Sequence, residues 1–153
     1  MSVNMKIYLD ACVYNRPFDD QKRPRIVIET LEFLLLLTKA EVGEIKLVSS
    51  FALEYENENN PYVDRREIIA DIMKSATEHV VCTDRVINRA REIEKSGIMG
   101  LDAIHIACAE EARADCFITC DDVLFKKAGK INDRLNVKVI SLLRFVNEEV
   151  FEL

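Results

Sequence analysis

Tryptophan is absent from this 153-residue sequence, glycine occurs only four times and proline three. So few breakers exclude a collagen-like or glycine-rich chain, and 49% hydrophobic residues exclude disorder. Histidine is scarce too, with only His79 and His105. The five cysteines, at 12, 82, 108, 116 and 120, are odd in number and form no Cys-x-x-Cys pair. These shortages argue against a structural zinc site and a disulfide framework. Reduced thiols, mostly small buried hydrophobes, fit a cytoplasmic protein. Cys116 and Cys120 bracket a strand, and four strand residues span about 13 Å, too far for the two to bond. Long apolar runs are also missing. The longest, Leu31 to Leu37, is interrupted by Glu32 and falls far short of a membrane span. Met1 to Lys6 lacks the apolar stretch of a secretory signal. Finally, there is no basic excess: 27 acids against 21 bases give −6. That balance argues against holding nucleic acid by bulk positive charge and leaves open a protein that uses its acids to hold a metal.

What is present reads as one domain over residues 1–153, long enough to bury a proper core. Short apolar strand candidates fall at 6–9, 46–49, 79–82, 116–119 and 137–140, with helix signals between them. Helices are expected over 25–42, 50–58, from Pro61 onward, from Thr83 or Asp84 to Lys95, over 101–113, from Asp121 to near Gly129, and over 142–150. Residues 14–20 read as a loop. Strands alternating with helices predict an α/β fold with a mainly parallel five-stranded sheet, and right-handed crossovers place helices on both faces.

The acids matter for where they fall. Asp10 ends the first strand, Glu54 lies on the first turns after the second, Asp102 opens the helix at Gly100, and Asp121 follows the fourth strand directly. Ligands of open parallel sheets bind outside the carboxyl ends of the strands. Carboxylates gathered there repel one another and are stabilised by a hard cation among their oxygens. Mg²⁺ and Mn²⁺ take such oxygen ligands, and a pair of ions can clamp a phosphodiester during in-line attack. An acid at a helix start also caps free backbone N–H groups, so spacing alone leaves both readings open.

Four segments carry a resemblance. Ile7-Tyr8-Leu9-Asp10, Ser49-Ser50-Phe51-Ala52-Leu53-Glu54, Gly100-Leu101-Asp102-Ala103-Ile104-His105-Ile106-Ala107 and Phe117-Ile118-Thr119-Cys120-Asp121-Asp122 stand in an order and spacing that resembles PIN-domain proteins, the family that includes VapC-type toxins. The resemblance implies a three-layer α/β/α sandwich and a Mg²⁺- or Mn²⁺-dependent ribonuclease. It maps metal ligation and catalysis onto Asp10, Glu54, Asp102 and Asp121, with Asp122 as a fifth acid. It also implies an RNA substrate, an antitoxin partner and a homodimer. One departure stands out. Many members carry a hydroxyl or amide residue just after the first Asp, where this sequence has Ala11 and Cys12; Asn15 or Tyr14 is a candidate substitute. That departure keeps a second function in view, a degenerate PIN-like module that binds RNA or protein without cutting.

Basic residues beside the acids, Arg16, Lys22, Arg23, Arg25, Lys126 and Lys127, are candidates for RNA phosphate contacts, against an ordinary solvated surface. Tyr14 and Phe18 are candidate base-stacking residues. His105, one turn after Asp102, reads as a packed helix histidine or as a group that tunes the acids. The helix through Val27 to Thr38 is apolar on nearly every side, so it is either a central buried helix or a face that meets a partner. A haloacid-dehalogenase-type phosphatase would need a second Asp at position 12, where Cys12 stands. A response-regulator receiver would need an acid pair at the first strand end, which Leu9-Asp10 does not supply. A Gly-rich phosphate loop is missing as well.

Overall fold

The structure, a computed structural model, describes residues 4–150. Strand β1 (Met5–Leu9) is followed by α1 (Ala11–Asn15), a 3₁₀ turn (Arg16–Phe18) and the long α2 (Pro24–Glu41). Next come β2 (Ile45–Ser50), α3 (Phe51–Glu58), α4 (Val63–Lys74), β3 (Glu78–Val80), α5 (Asp84–Lys95) and α6 (Gly100–Glu111). Strand β4 (Cys116–Thr119), α7 (Asp122–Lys130), β5 (Lys138–Ser141) and α8 (Leu142–Phe145) complete the order, with a π-helical turn over Val146–Val150. All five strands pair in parallel in the order β3-β2-β1-β4-β5, the sheet of an α/β/α sandwich.

The central strands are apolar because neither face meets water. Ile7, Tyr8 and Leu9 of β1 and Phe117 and Ile118 of β4 are fully buried, with the Tyr8 and Phe117 rings stacked at 5.4 Å. Helix α2 packs on β2 and α8, and α6 packs on β2 and β4 beside α5. Gly43, at φ +80°, supplies the left-handed turn that lets the chain leave α2 for β2.

Three local expectations are corrected. The loop expected at 14–20 holds α1 and the 3₁₀ turn, because Asp10 caps the backbone as it leaves β1. The helix expected from Pro61 begins at Val63, since the Asn60 Oδ1 accepts the Tyr62 N–H at 3.2 Å and holds a turn there. Strand β3 stops at Val80, because Thr83 must leave the sheet to cap α5. Helix α2 buries Phe33 and Leu36 but leaves Ile28, Leu31 and Leu34 at 51%, 61% and 46% exposure, so it is not a deeply buried central helix.

Candidate active site

The strand order reverses direction at β1. The chain runs from β1 to β2 to β3 on one side, then crosses to β4 on the other. In open α/β sheets, ligands bind at the carboxyl ends of strands at such a switch point. Asp10 leaves β1 and Asp121 follows β4 at this place, and the Asp10 N–H donates to the Ile118 carbonyl at 2.9 Å.

Asp10 is only 6% exposed. Its Oδ1 accepts the Ala11 N–H at 2.8 Å and its Oδ2 accepts the Thr119 hydroxyl at 2.8 Å. The same Thr119 oxygen accepts the Asp121 N–H at 3.0 Å, so one threonine sets the two acids relative to each other. The Cys12 Sγ lies 3.5 Å from Asp10 Oδ2 and accepts the Cys120 N–H. Thr119 therefore supplies the hydroxyl that position 11 or 12 lacks. Tyr14 cannot do so, being buried against Phe33, and the Asn15 amide donates to the Ala11 carbonyl. Burial pushes the Asp10 carboxyl upward, and the Glu56 charge adds to this. His105 and the Thr119 hydrogen bond act against it.

Asp102, on the first turn of α6, is half-buried and pushed up to about 6, first by burial and then by the charges of Asp10 and Asp121. Asp121 is exposed and caps α7 by accepting the Val123 and Leu124 N–H groups. It is thus both a helix cap and a charge bearing on Asp102.

The fourth acid of this group is Glu56. Its charge acts on both Asp10 and Asp102, and its Oε1 lies 2.8 Å from His105 Nε2. The structure does not bring Glu54 to the cluster. Two helix positions separate Glu54 from Glu56, a rotation of about 200°. Glu54 consequently falls on the exposed side of α3 and pairs with His79 at 3.2 Å. Helical phase was the available signal: Glu56 follows the buried Ala52 and Leu53 by four and three residues, on the same face.

His105 is fully buried and belongs to a polar chain beneath the acids. Its Nδ1 lies 2.6 Å from the Tyr8 hydroxyl, which lies 2.6 Å from the Ser50 hydroxyl. With a neutral imidazole the chain runs in one direction. The Leu53 N–H donates to Ser50 Oγ, Ser50 to Tyr8, Tyr8 to Nδ1, and Nε2–H to Glu56. Every member is satisfied, so a packed histidine here also fixes a carboxylate.

The family model of the PIN domain matches residues 7–131. The chain belongs to the PIN-domain family. Two solved structures share its fold. VapBC2 from Rickettsia felis, bound to a DNA fragment from their promoter, matches at 17% identity and a TM-score of 0.53, over 90% of this chain and 98% of that chain. VapBC-1 from nontypeable Haemophilus influenzae matches at 18% and 0.56, over 91% and 99%. No curated protein matches.

The donors in this PIN domain suit a hard cation. They are carboxylate oxygens, the set that Mg²⁺ and Mn²⁺ take, and the upward push of Asp102 by Asp10 and Asp121 is the repulsion that a cation would relieve. Among the described residues, no three Asp, Glu, His or Cys side chains stand close enough together to share one ion. A carboxyl titrating near pH 6 must lose its proton to ligate a metal. Mn²⁺ affinity is therefore expected to fall steeply from pH 7.5 to pH 5, with protons released on binding at pH 6. Calorimetry in buffers of different ionisation enthalpy measures both.

The other expected site residues separate into spent and free groups. Asp122 is held by Arg25 through two bonds of 2.7 and 2.9 Å, which keep its carboxyl below the usual range, so it faces an ion pair rather than the cluster. Arg25 is occupied by the same pair and by the Cys120 carbonyl. Arg16 lies between Asp19 and Glu29, at 2.8 and 2.9 Å. Each arginine is thus paired with acids of the chain in this arrangement. Arg23 and Lys126 are exposed. Phe18 is partly buried beneath the Arg65 guanidinium, whereas Tyr62, not singled out from the sequence, is 61% exposed with Arg65 over its ring at 4.6 Å.

Proposed function

We propose that this PIN domain acts as a single-domain, Mg²⁺- or Mn²⁺-dependent endoribonuclease that cleaves RNA phosphodiesters by water attack. The observation carrying this reading is that one Thr119 hydroxyl sets Asp10 and Asp121 together at the switch point of a parallel sheet, with Asp102 on the first turn of α6 and Glu56 held by His105 as the further acids. On binding, these carboxylates would have to draw together around the ion, because among the described residues no three of them already stand close enough to share it. A bound divalent cation would supply charge neutralisation at the phosphodiester and a water of lowered pKa. The chain's own work is to hold the oxygens in place. Thr119 fixes Asp10, and the Ser50–Tyr8–His105 chain fixes Glu56. Arg23 and Lys126, with Lys22 and Lys127, are exposed basic groups that would meet RNA phosphates.

The same reading makes the chain the toxin of a toxin–antitoxin pair. Its support is the family together with the exposed row Ile28, Leu31 and Leu34 on α2, an apolar surface that an antitoxin or a second copy of the chain would cover. Cys82 is exposed and unpaired, which suits the reducing cytoplasm. No helix among the described residues is long and apolar enough to cross a membrane. With mixed single-stranded RNA, cleavage is expected in Mg²⁺ or Mn²⁺ and none in EDTA. Cleavage that persists in EDTA would contradict the proposal.

A further inference from the structure

A cleft of about 240 Å³ opens beside the acids, between α1, α3 and α4. Its wall includes Glu56 and Ala11, the residue after Asp10, so whatever occupies it lies beside the Glu56 end of the group. The volume is below the roughly 300–1,000 Å³ of sites for drug-sized molecules, and suits a single flat ring. Three amides line it, Asn15, Asn57 and Asn60. Each is fixed by hydrogen bonds within the chain. Asn15 donates to the Ala11 carbonyl at 2.8 Å, Asn57 to the Arg66 carbonyl at 2.9 Å, and Asn60 to Asn15 Oδ1 at 3.4 Å. A primary amide has two donors and an acceptor with two lone pairs, so each retains capacity for another partner.

The rim carries the second feature. Tyr62 lines the cleft with a mostly exposed ring. Its orientation is set by Arg65, whose guanidinium lies 4.6 Å from the Tyr62 ring and 5.5 Å from the Phe18 ring. Arg65 is itself anchored by donating to the Phe18 carbonyl at 2.8 Å. An immobilised aromatic beside fixed amides is the combination that recognises unpaired bases. The ring stacks on the base without regard to sequence, and the amides read its hydrogen-bonding edge.

We propose that this cleft binds one unpaired nucleobase of RNA, stacked on Tyr62 and read by Asn15, Asn57 and Asn60, which seats the neighbouring phosphate at the acids. The proposal rests on the ribonuclease reading for its biological sense, but not for its test. Binding is measured in EDTA, where no metal-dependent cleavage occurs, by titrating the full chain with AMP, GMP, CMP and UMP and, separately, with ribose 5-phosphate. At least one nucleotide is expected to saturate the site, shifting amide resonances of residues 57–60 and 62. Tyr62→Ala is expected to weaken that nucleotide about 5- to 150-fold, the equivalent of a stacking loss of about 1–3 kcal/mol per base, while Tyr62→Phe restores it. Tyr62 is exposed, so its truncation leaves the core intact.

Equal binding of ribose 5-phosphate would identify a phosphate site and overturn the proposal. Nucleotide affinity unchanged in Tyr62→Ala, or no nucleotide binding at all, would overturn it too. If nucleotides bind as expected but no RNA is cut with Mn²⁺, the base site stands and the nuclease reading fails. If RNA is cut equally well by wild type and Tyr62→Ala at subsaturating substrate, the nuclease reading stands and the base site fails.

Discussion

Glu56→Gln is expected to lower RNA cleavage by more than about 100-fold, while Glu54→Gln stays within about twofold of wild type. Loss of a partner that merely orients a metal ligand typically costs about 10–100-fold, so loss of a ligand should exceed it. The two glutamates are two positions apart on α3 and differ only in which face they occupy. Glu56 meets His105 and bears on Asp10 and Asp102, whereas Glu54 meets His79. The substitution is isosteric and removes charge only. Single-turnover cleavage of one RNA under saturating Mn²⁺ measures both variants. A severe loss in Glu54→Gln with an active Glu56→Gln would reverse the assignment.

The second large effect concerns stability. Glu32 is buried on α2, its Oε1 has no hydrogen-bond partner among the described residues, and burial followed by the charge of Glu29 pushes its carboxyl up to about 7. An unfolded glutamate titrates near about 4.3. Between these values the folded chain holds a proton that the unfolded chain has released. Folding stability therefore falls as pH rises through this window, and above pH 7 the full cost is present. Because the carboxyl lines a groove open to water, a cost of about 1–3 kcal/mol is expected rather than that of a sealed charge. Glu32→Met, similar in volume and apolar, is expected to raise Tm at pH 8 by roughly 3–10 °C. The gain should shrink towards zero near pH 4.5. Thermal unfolding of both proteins across this range measures it, and a gain independent of pH would contradict the assignment.

Much of the architecture was legible because the buried strands leave continuous apolar runs. Ile7 to Leu9 and Cys116 to Thr119 are buried on both faces, and the acids at their ends mark the crevice. Asp10 and Asp121 were singled out from that position, and Asp102 from its place at a helix start. Glu56 was not singled out because the motif drew attention to Glu54, whereas helical phase turns Glu56 towards His105 and Glu54 towards His79. The pairing of Arg16 and Arg25 with acids of the chain was not legible for a different reason. Arg25 and Asp122 meet across 97 residues of sequence, and no local pattern reveals that two surface charges neutralise each other. Tyr14 and Tyr62 show the same limit. Tyr14, near the end of α1, turns inward onto Phe33, whereas Tyr62, just before α4, stays outside. The acid excess also changes meaning. Setting aside Asp10, Glu56, Asp102 and Asp121 leaves 23 acids against 21 bases, so a nucleic-acid substrate no longer conflicts with a charge of −6.

The most direct test of the account is Mn²⁺-dependent RNA cleavage by wild type and Asp10→Asn. Asparagine keeps the size of the buried side chain and removes the charge beside Thr119; with its oxygen accepting the Ala11 N–H, its amide NH2 faces the Thr119 hydroxyl as a donor. Cleavage by wild type and its loss in a folded Asp10→Asn protein is the expected result. An Asp10→Asn protein that cuts RNA as fast as wild type would contradict it.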